Sequence, residues 1–284
     1  MNKDERDFQE SVIRESIKSR MSRRTLLSGA AATAAAIAIP GAAHAQGPTV
    51  LSLPFFPNVP GRYSPESIPT MINTAITAEA LAVTFLTAAL GSSALGLNSL
   101  ETAIVQAALV EEQDHYDVLA SFGATPLTTT FTVPDPKMLT DKVTFFTTLW
   151  AAESLFVAAY LAAVREGAEL GQPTFSLLAA EVMGVEAEHR TLARAALALN
   201  GDDAGIPPND KAFETGFLLY VSDAVGVLQT LGFVGGNGIQ AAYPGKDKAL
   251  AAAGPMATAV IQQSPSFPGP TPTITSAADL LVQR

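Results

Sequence analysis

Apolar residues recur every three to four positions along four long stretches of the chain, which is the period of amphipathic α-helices. Segments rich in glycine, serine or proline separate these stretches. The predicted helices are residues 67–90, 100–122, 140–166 and 174–200. Alanine is abundant and β-branched residues do not alternate with polar ones, so we predict an all-α fold over residues 66–200 rather than a sheet.

Between the second and third helices lies a long non-helical connection, PLTTTFTVPDPKML at residues 126–139. Residues 201–284 form a loop-rich C-terminal extension, in which residues 213–233 and 249–263 favour helices. We expect this extension either to pack on the helices or to form contacts between subunits of a homo-oligomer.

The first 45 residues resemble an export signal. Basic residues lead to the pair Arg23 and Arg24, an alanine-rich stretch follows, and AHA at residues 43–45 resembles a cleavage site. We expect the twin-arginine pathway to export the folded protein to the periplasm or medium, with cleavage after Ala45 and no stable membrane span afterwards. The alternative is an uncleaved membrane anchor. Residues 46–65 are proline-rich and predicted to be extended.

Composition excludes several classes of function. The 284 residues contain no cysteine, which excludes disulfides, zinc–thiolate sites, iron–sulfur clusters and cysteine nucleophiles. Residues 1–45 hold seven of the 17 Lys and Arg and five of the 27 Asp and Glu, so the remaining chain has a formal charge of −12. This acidity argues against nucleic acid or an anionic membrane as partner. No nucleophile triad, Walker motif or dinucleotide-binding fingerprint is apparent.

Two histidines follow residue 45, and each has a glutamate three positions before it. The pairs are Glu112 with His115 and Glu186 with His189. Residues at this spacing share one face of a helix, so both side chains of a pair can reach one ion. The two pairs therefore indicate a metal site.

The two pairs belong to a longer internal repeat. Glu79 lies 33 residues before the first glutamate, and Glu153 lies 33 residues before the second, so the halves repeat at an offset of 74. In two antiparallel hairpins these positions fall at one level, about 16 Å from the turn in the first hairpin. Apolar residues share the same helix faces, and burying four unpaired carboxylates would be costly. Two metal ions would compensate their charge.

One Glu from each of two helices, with Glu-x-x-His from each of the other two, resembles the di-iron or di-manganese site of ferritin-like proteins. Local sequences such as EEQDHYDVLASFGATP and EAEHRTLARAAL resemble exported and desiccation-related bacterial members. The resemblance implies a four-helix bundle with a long crossover between helices 2 and 3, and a centre of two Fe or Mn ions. It assigns six ligands: terminal Glu79 and Glu153, bridging Glu112 and Glu186, and nitrogen ligands His115 and His189. The alternative is a metal-free polar network of the same residues.

Other polar residues near the motif have simpler interpretations. We expect Glu111, Asp114, Asp117 and Glu188 to lie on other faces in solvent, with the orientation of an imidazole as an alternative role for one of them. Tyr160 shares the face of Glu153, where it either donates to a ligand carboxylate or a bound oxygen species, or only packs in the core.

Two functions remain open. A reduced di-metal centre would act on dioxygen, peroxide or ferrous iron in oxidative or desiccation stress, as a ferroxidase, peroxidase or manganese catalase does. Alternatively, the metal only stabilises a structural or stress-protection protein that has no turnover. Mineral storage is disfavoured, because the long loop-rich extension departs from compact cage-forming ferritins.

Overall fold

The structure is a computed structural model and describes residues 64–260. The predicted export signal, residues 46–63 of the proline-rich segment and the end of the predicted helix 249–263 lie outside the described residues. Within residues 64–260, seven α-helices and one pair of short strands are present.

Four long helices dominate the chain, and the all-α prediction is confirmed. They are α1 (Ile68–Gly91), α2 (Ser99–Ser121), α3 (Lys142–Glu169) and α4 (Pro173–Leu199). Helix α1 packs on α2, and α3 packs on α4, so the two predicted halves are two hairpins of one bundle. The predicted bounds differ from these by at most three residues.

Polar residues define where the helices begin. The Asn98 side chain accepts hydrogen bonds from the backbone N–H groups of Leu100 and Glu101, and the Glu101 carboxylate accepts one from the N–H of Asn98 in return. Glu101 is buried and also accepts hydrogen bonds from Lys142 Nζ and Asn200 Nδ2, each at 2.7 Å. One carboxylate therefore joins the start of α2, the start of α3 and the end of α4.

The crossover between α2 and α3 contains a strand that the sequence analysis did not predict. Strand β1 (Thr130–Val133) pairs antiparallel with β2 (Ile239–Ala242), with Thr130 opposite Ala242. Each strand has only four residues, and the pairing joins segments more than 100 residues apart. Residues 128–133, TTTFTV, are rich in β-branched residues and carry a local strand signal, whereas the pairing with β2 comes only from the tertiary fold.

The C-terminal extension packs on the bundle, which resolves one of the two alternatives above. Its helices are α5 (Asp223–Thr230), α6 (Lys246–Ala253) and α7 (Met256–Ala259). Helix α6 lies against α1 and α2, where Ala249 and Ala253 are fully buried. The extension therefore covers the first hairpin.

The prediction of a helix over residues 213–233 was wrong for its first ten residues. Carboxylates outside the segment take the backbone N–H groups there: Glu166 Oε1 accepts from Val221, and Glu66 Oε2 accepts from Ser222. Asp223 accepts from the N–H groups of the two residues at positions 219 and 220. These hydrogen bonds occupy the N–H groups of residues 219–222, immediately before the helix, which begins at residue 223.

Two buried arginines of α4 hold the segment that follows this helix. Arg190 donates to Asp210 and Glu214, each at 2.9 Å. Arg194 donates to the carbonyl oxygens of residues 207 and 208, and its guanidinium lies 4.4 Å from the centre of the Trp150 ring. These contacts fix the start of the extension against α4.

The core consists of four apolar clusters. One includes Phe85 and Phe145, another includes Met71 and Val182, and a third contains Ala78, Ala80 and Leu155, which are close in sequence to Glu79 and Glu153. Helices α1 and α3 have the length and apolar character of membrane spans, yet each buries most of that surface inside the protein. The four glutamates of the repeat are fully buried among these clusters.

Candidate metal centre

The six predicted site residues meet in the middle of the bundle, and all four long helices contribute. Glu79 comes from α1, Glu112 and His115 from α2, Glu153 from α3, and Glu186 and His189 from α4. The side chains of the four glutamates are no more than 1% exposed to solvent. The matched repeat therefore places its polar residues at one level, as the spacing predicts.

The first group of donor atoms surrounds Nδ1 of His115. This nitrogen lies 3.4 Å from Glu186 Oε1, 3.7 Å from Glu79 Oε2 and 3.8 Å from Glu112 Oε2. One donor atom from each of these four residues lies within 4.8 Å of all the others. Four donors in so small a volume can surround one cation.

The second group surrounds Nδ1 of His189. This nitrogen lies 3.0 Å from Glu112 Oε1, 3.5 Å from Glu186 Oε2 and 4.0 Å from Glu153 Oε1. Glu112 and Glu186 belong to both groups, and each approaches the two imidazoles with different oxygens. These two carboxylates therefore have the arrangement of ligands that bridge two ions.

The donor atoms of both groups lack other partners. Among residues 64–260, 11 buried side-chain nitrogen and oxygen atoms have no hydrogen-bond partner, and nine of them belong to these six residues. Unpaired buried polar atoms are destabilising and rare in native proteins. Four carboxylates with one imidazole for each ion suit iron or manganese. The residues present therefore fit a pair of such ions.

The pKa values of two glutamates in the site are raised, and those of the other two are lowered. Burial, with the Glu112 charge, raises the pKa of Glu79 to about 8. Burial, with the charges of Glu186 and Glu112, raises the pKa of Glu153 well above its usual value. For Glu112 and Glu186 burial also acts against ionisation, but contacts with the two imidazoles outweigh it and lower both pKa values.

The same carboxylates also shift the pKa values of the two imidazoles. Burial disfavours their charged form, yet the surrounding glutamates raise the pKa values of His115 and His189 well above the ordinary value. Without metal, these pKa directions favour protons on the two imidazoles and on Glu79 and Glu153, and the ionised form of Glu112 and Glu186. Metal ions would have to displace those protons.

Two residues outside the set of six contact it directly. The hydroxyl of Tyr160 donates a hydrogen bond to Glu79 Oε1, so this tyrosine is more than core packing. His189 Nε2 lies 2.7 Å from Glu111 Oε2. Of the two roles predicted for these acids, Glu111 has the alternative one: its side chain is 34% exposed, and its carboxylate contacts an imidazole instead of lying only in solvent. The turn of α2 that buries Glu112 directs Glu111 to the neighbouring helix α4.

The other acids differ in their surroundings. Asp117 accepts hydrogen bonds from Gln113 and Lys246. Glu188 is exposed, as expected for a solvated residue, whereas Asp114 is only partly exposed and burial raises its pKa, an effect that the nearby His115 opposes. The structure thus separates Glu111 from acids that looked equivalent in the sequence.

The two halves of the centre differ outside the ligands. At the 74-residue offset, Val185 corresponds to Glu111 and Leu86 corresponds to Tyr160. The tyrosine therefore supports only the half with His115, and the acid supports only the half with His189. The two halves of the repeat therefore have the same candidate ligands, but different residues contact those ligands in each half.

Residues 69–199 match the family model of the ferritin-like domain. The matched segment covers the four long helices and the crossover, and it contains all six residues of the cluster. No curated protein and no solved structure gives a significant match. The ferritin-like resemblance is therefore confirmed for this segment of the chain.

Proposed function

We propose, from the ferritin-like match and the buried cluster, that this protein holds a dinuclear iron or manganese centre. Glu79 and His115 would bind one ion, and Glu153 and His189 would bind the other. Glu112 and Glu186 would bridge the two ions. The observation that carries the proposal is the set of nine unpaired buried donor atoms, in two groups that share the same two glutamates.

The surrounding residues would orient these ligands. If Nε2–H of His189 donates to Glu111, then Nδ1 of that ring would be the nitrogen that binds an ion once its proton is displaced. The Tyr160 hydroxyl occupies Glu79 Oε1, which leaves Oε2 for an ion. The contact with Glu111 would leave one nitrogen of His189 for an ion, and the contact with Tyr160 would leave one oxygen of Glu79. Because both side chains are already held in place, they would lose less conformational freedom when an ion binds.

A carboxylate-bridged pair of iron or manganese ions supplies electron transfer to dioxygen or peroxide. We propose that the protein is an oxidoreductase of this kind, active in oxidative or desiccation stress. The chain has no cysteine and so no rubredoxin-type iron site of its own. Electrons for repeated turnover would therefore come from outside the chain.

We also propose that the protein works outside the cytoplasm. Support comes from the paired Arg23 and Arg24, the alanine-rich stretch and the cleavage-like sequence at residues 43–45. Export of a folded protein would allow the metal to be inserted before translocation. N-terminal sequencing of the exported protein tests this, and a first residue of Gln46 is expected.

Metal analysis tests the dinuclear centre. Protein purified after native export should contain about two Fe or Mn ions per chain. The double variant Glu112→Ala and Glu186→Ala should lose both ions, because each glutamate serves both positions. Glu153→Ala should keep about one ion, and the exposed Glu188→Ala is the matched control. Less than one ion in the unaltered protein, with no change in the double variant, would refute the proposal.

Thermal unfolding with and without a chelator separates catalysis from a purely structural metal. If chelation abolishes peroxide consumption or ferrous oxidation while the bundle stays folded, the metal serves catalysis. If chelation unfolds the bundle and no such activity exists before it, the metal only stabilises the fold.

A further inference from the structure

An apolar cavity lies beside one half of the proposed centre. It has a volume of about 30 Å³ and lies between α1, α2, α3, α4 and the segment that leads into α5. A single water molecule needs roughly 10–15 Å³ of such space, so the cavity has room for a small molecule. His115 and Tyr160 form its boundary toward the cluster.

The walls of this cavity offer almost no hydrogen bonds. Most lining side chains are aliphatic or aromatic, including Ile72, Phe156 and Val182. The hydroxyl of Thr74 already donates to the carbonyl oxygen of residue 70, and the hydroxyl of Tyr160 already donates to Glu79. Cavities of this character exclude water and accept small apolar molecules.

The donor atoms differ in number between the two halves. The half with His115 has only one unpaired oxygen from its own terminal glutamate, because Tyr160 occupies Glu79 Oε1. In the other half, both oxygens of Glu153 are unpaired. Each half also has one oxygen from each of the two shared glutamates and one imidazole nitrogen. The protein therefore offers four possible ligand atoms in the half beside the cavity and five in the other half.

We propose that this cavity is the docking site for a small, neutral, apolar molecule of the size of dioxygen, which it delivers to the ion beside His115. This inference rests on the proposed dinuclear centre and specifies its substrate class. The half with fewer protein donors is the half whose histidine, His115, lines the cavity. A hydrated metal ion or a hydrogen-bonding peroxide gains nothing from such walls.

The polar side of the centre offers a different path for charged species. Glu111 is partly exposed and contacts His189, and neither residue lines the cavity. A carboxylate at the surface suits an incoming cation better than an aliphatic wall does. Small apolar molecules and metal ions would therefore reach the centre from different sides.

Crystals of the exported protein pressurised with krypton test the cavity directly, since krypton is a neutral atom of about the size of dioxygen. Krypton is expected beside Phe156 and Tyr160. Added dioxygen pressure should lower its occupancy. Ala159→Leu and Ala179→Leu, at two buried alanines of the lining, should each abolish the krypton site.

Ala151→Leu is the matched control, because this alanine is exposed on the same helix as Ala159. The control should keep the krypton site. Because Ala159 and Ala179 lie on different helices, the test still gives an answer if one of the two variants does not fold. Each folded variant should still take up two ions at the rate of the unaltered protein.

Two results would overturn the inference. One is two ions per chain with no krypton in the cavity. The other is that Ala159→Leu slows metal uptake as strongly as it removes krypton, since the cavity would then be the path of the ions. Krypton bound in a protein with less than one ion per chain would instead refute the dinuclear centre, and with it the docking role.

Discussion

Oε2 of Glu111 on helix α2 lies 2.7 Å from Nε2 of His189 on helix α4. The other nitrogen of the same ring, Nδ1, lies 3.0 Å from Glu112 Oε1. Two consecutive glutamates thus hold opposite edges of one imidazole. One contact directs the ring, and the other belongs to the proposed metal centre.

Removal of the orienting carboxylate should weaken metal binding without removing a ligand. We expect Glu111→Leu to lower the affinity for the ion beside His189 by about 10- to 100-fold, the usual effect of losing such a partner. Glu111→Gln keeps an oxygen that accepts from Nε2–H, so it should retain most of the affinity. Competition with a coloured chelator measures both.

The exposed Glu188→Leu is the control for this experiment. It removes one negative charge from α4 without touching an imidazole and should leave the affinity unchanged. If Glu111→Leu and Glu188→Leu lower the metal affinity equally, the effect comes from the lost negative charge and not from the orientation of His189. Equal affinity in Glu111→Leu and the unaltered protein would contradict the orienting role.

Tyr160→Phe should affect the metal-free and metal-loaded proteins differently. Without metal, the variant leaves Glu79 Oε1 buried and unpaired, and the free energy of unfolding should fall by about 1–3 kcal/mol. With metal, this oxygen gains the ion as a partner, so the loss should be smaller. Urea denaturation of both forms measures the difference.

Tyr243→Phe is the comparison, because its hydroxyl donates to Gln113 at 2.9 Å, outside the six-residue cluster. Its effect on stability should be the same with and without metal. The role assigned to Tyr160 is wrong if Tyr160→Phe also destabilises both forms equally.

The metal-free protein should become less stable as pH rises above 6.5. The pKa of Glu79 is about 8, above the usual 4.5, so its stabilising contribution is complete below pH 4.5 and disappears as pH rises to 8. The raised pKa values of His115 and His189 act in the same direction, with contributions that are complete below pH 6.5 and lost at higher pH. The slope of the free energy of unfolding against pH should therefore be negative over this range.

Denaturation in the presence of chelator at several values between pH 6.5 and pH 8 measures this slope. The metal-loaded protein should show the opposite trend, because ions compete with the protons on the same atoms. Metal binding should release protons, because the ions take the atoms of the imidazoles and of Glu79 and Glu153 whose pKa values are raised. A metal-free protein whose stability rises over this range would contradict the assignment.

Arg190→Ala should loosen the extension while leaving the metal centre intact. Arg190 is only 3% exposed and donates to both Asp210 and Glu214 at 2.9 Å. Its loss leaves Asp210 with only the longer contact to Arg194 at 3.3 Å, and Glu214 with only the one to Lys211 at 3.4 Å. We expect a loss of about 2–3 kcal/mol in the free energy of unfolding. Proteolysis between residues 201 and 215 should become faster.

Lys211→Ala is the control, because it removes a cation that lies 3.4 Å from Glu214 in a more exposed pair. Its effect should be below about 1 kcal/mol. Loss of metal from Arg190→Ala would show that the extension also supports the centre, contrary to the expectation.

The four long helices were predictable because each has a continuous apolar period and clear boundary residues. The capping pair of Asn98 and Glu101 and the break at Pro173 are local signals that need no tertiary context. The absence of a helix at residues 213–222 was not predictable from such local signals. Their backbone amides bond to Glu66, Glu166 and Asp223, and the first two of these residues are distant in sequence.

The sequence by itself determined the four helices, the 74-residue repeat and the six residues that meet at mid-height, because periodicity and helix rise relate spacing to height along a bundle. Only the tertiary structure decided which neighbours support those residues. Glu111 and Asp114 look alike in the sequence, and a rotation of a few tens of degrees on α2 places only the first against His189. Contacts between helices depend on such rotations and on side-chain direction, which no local pattern records.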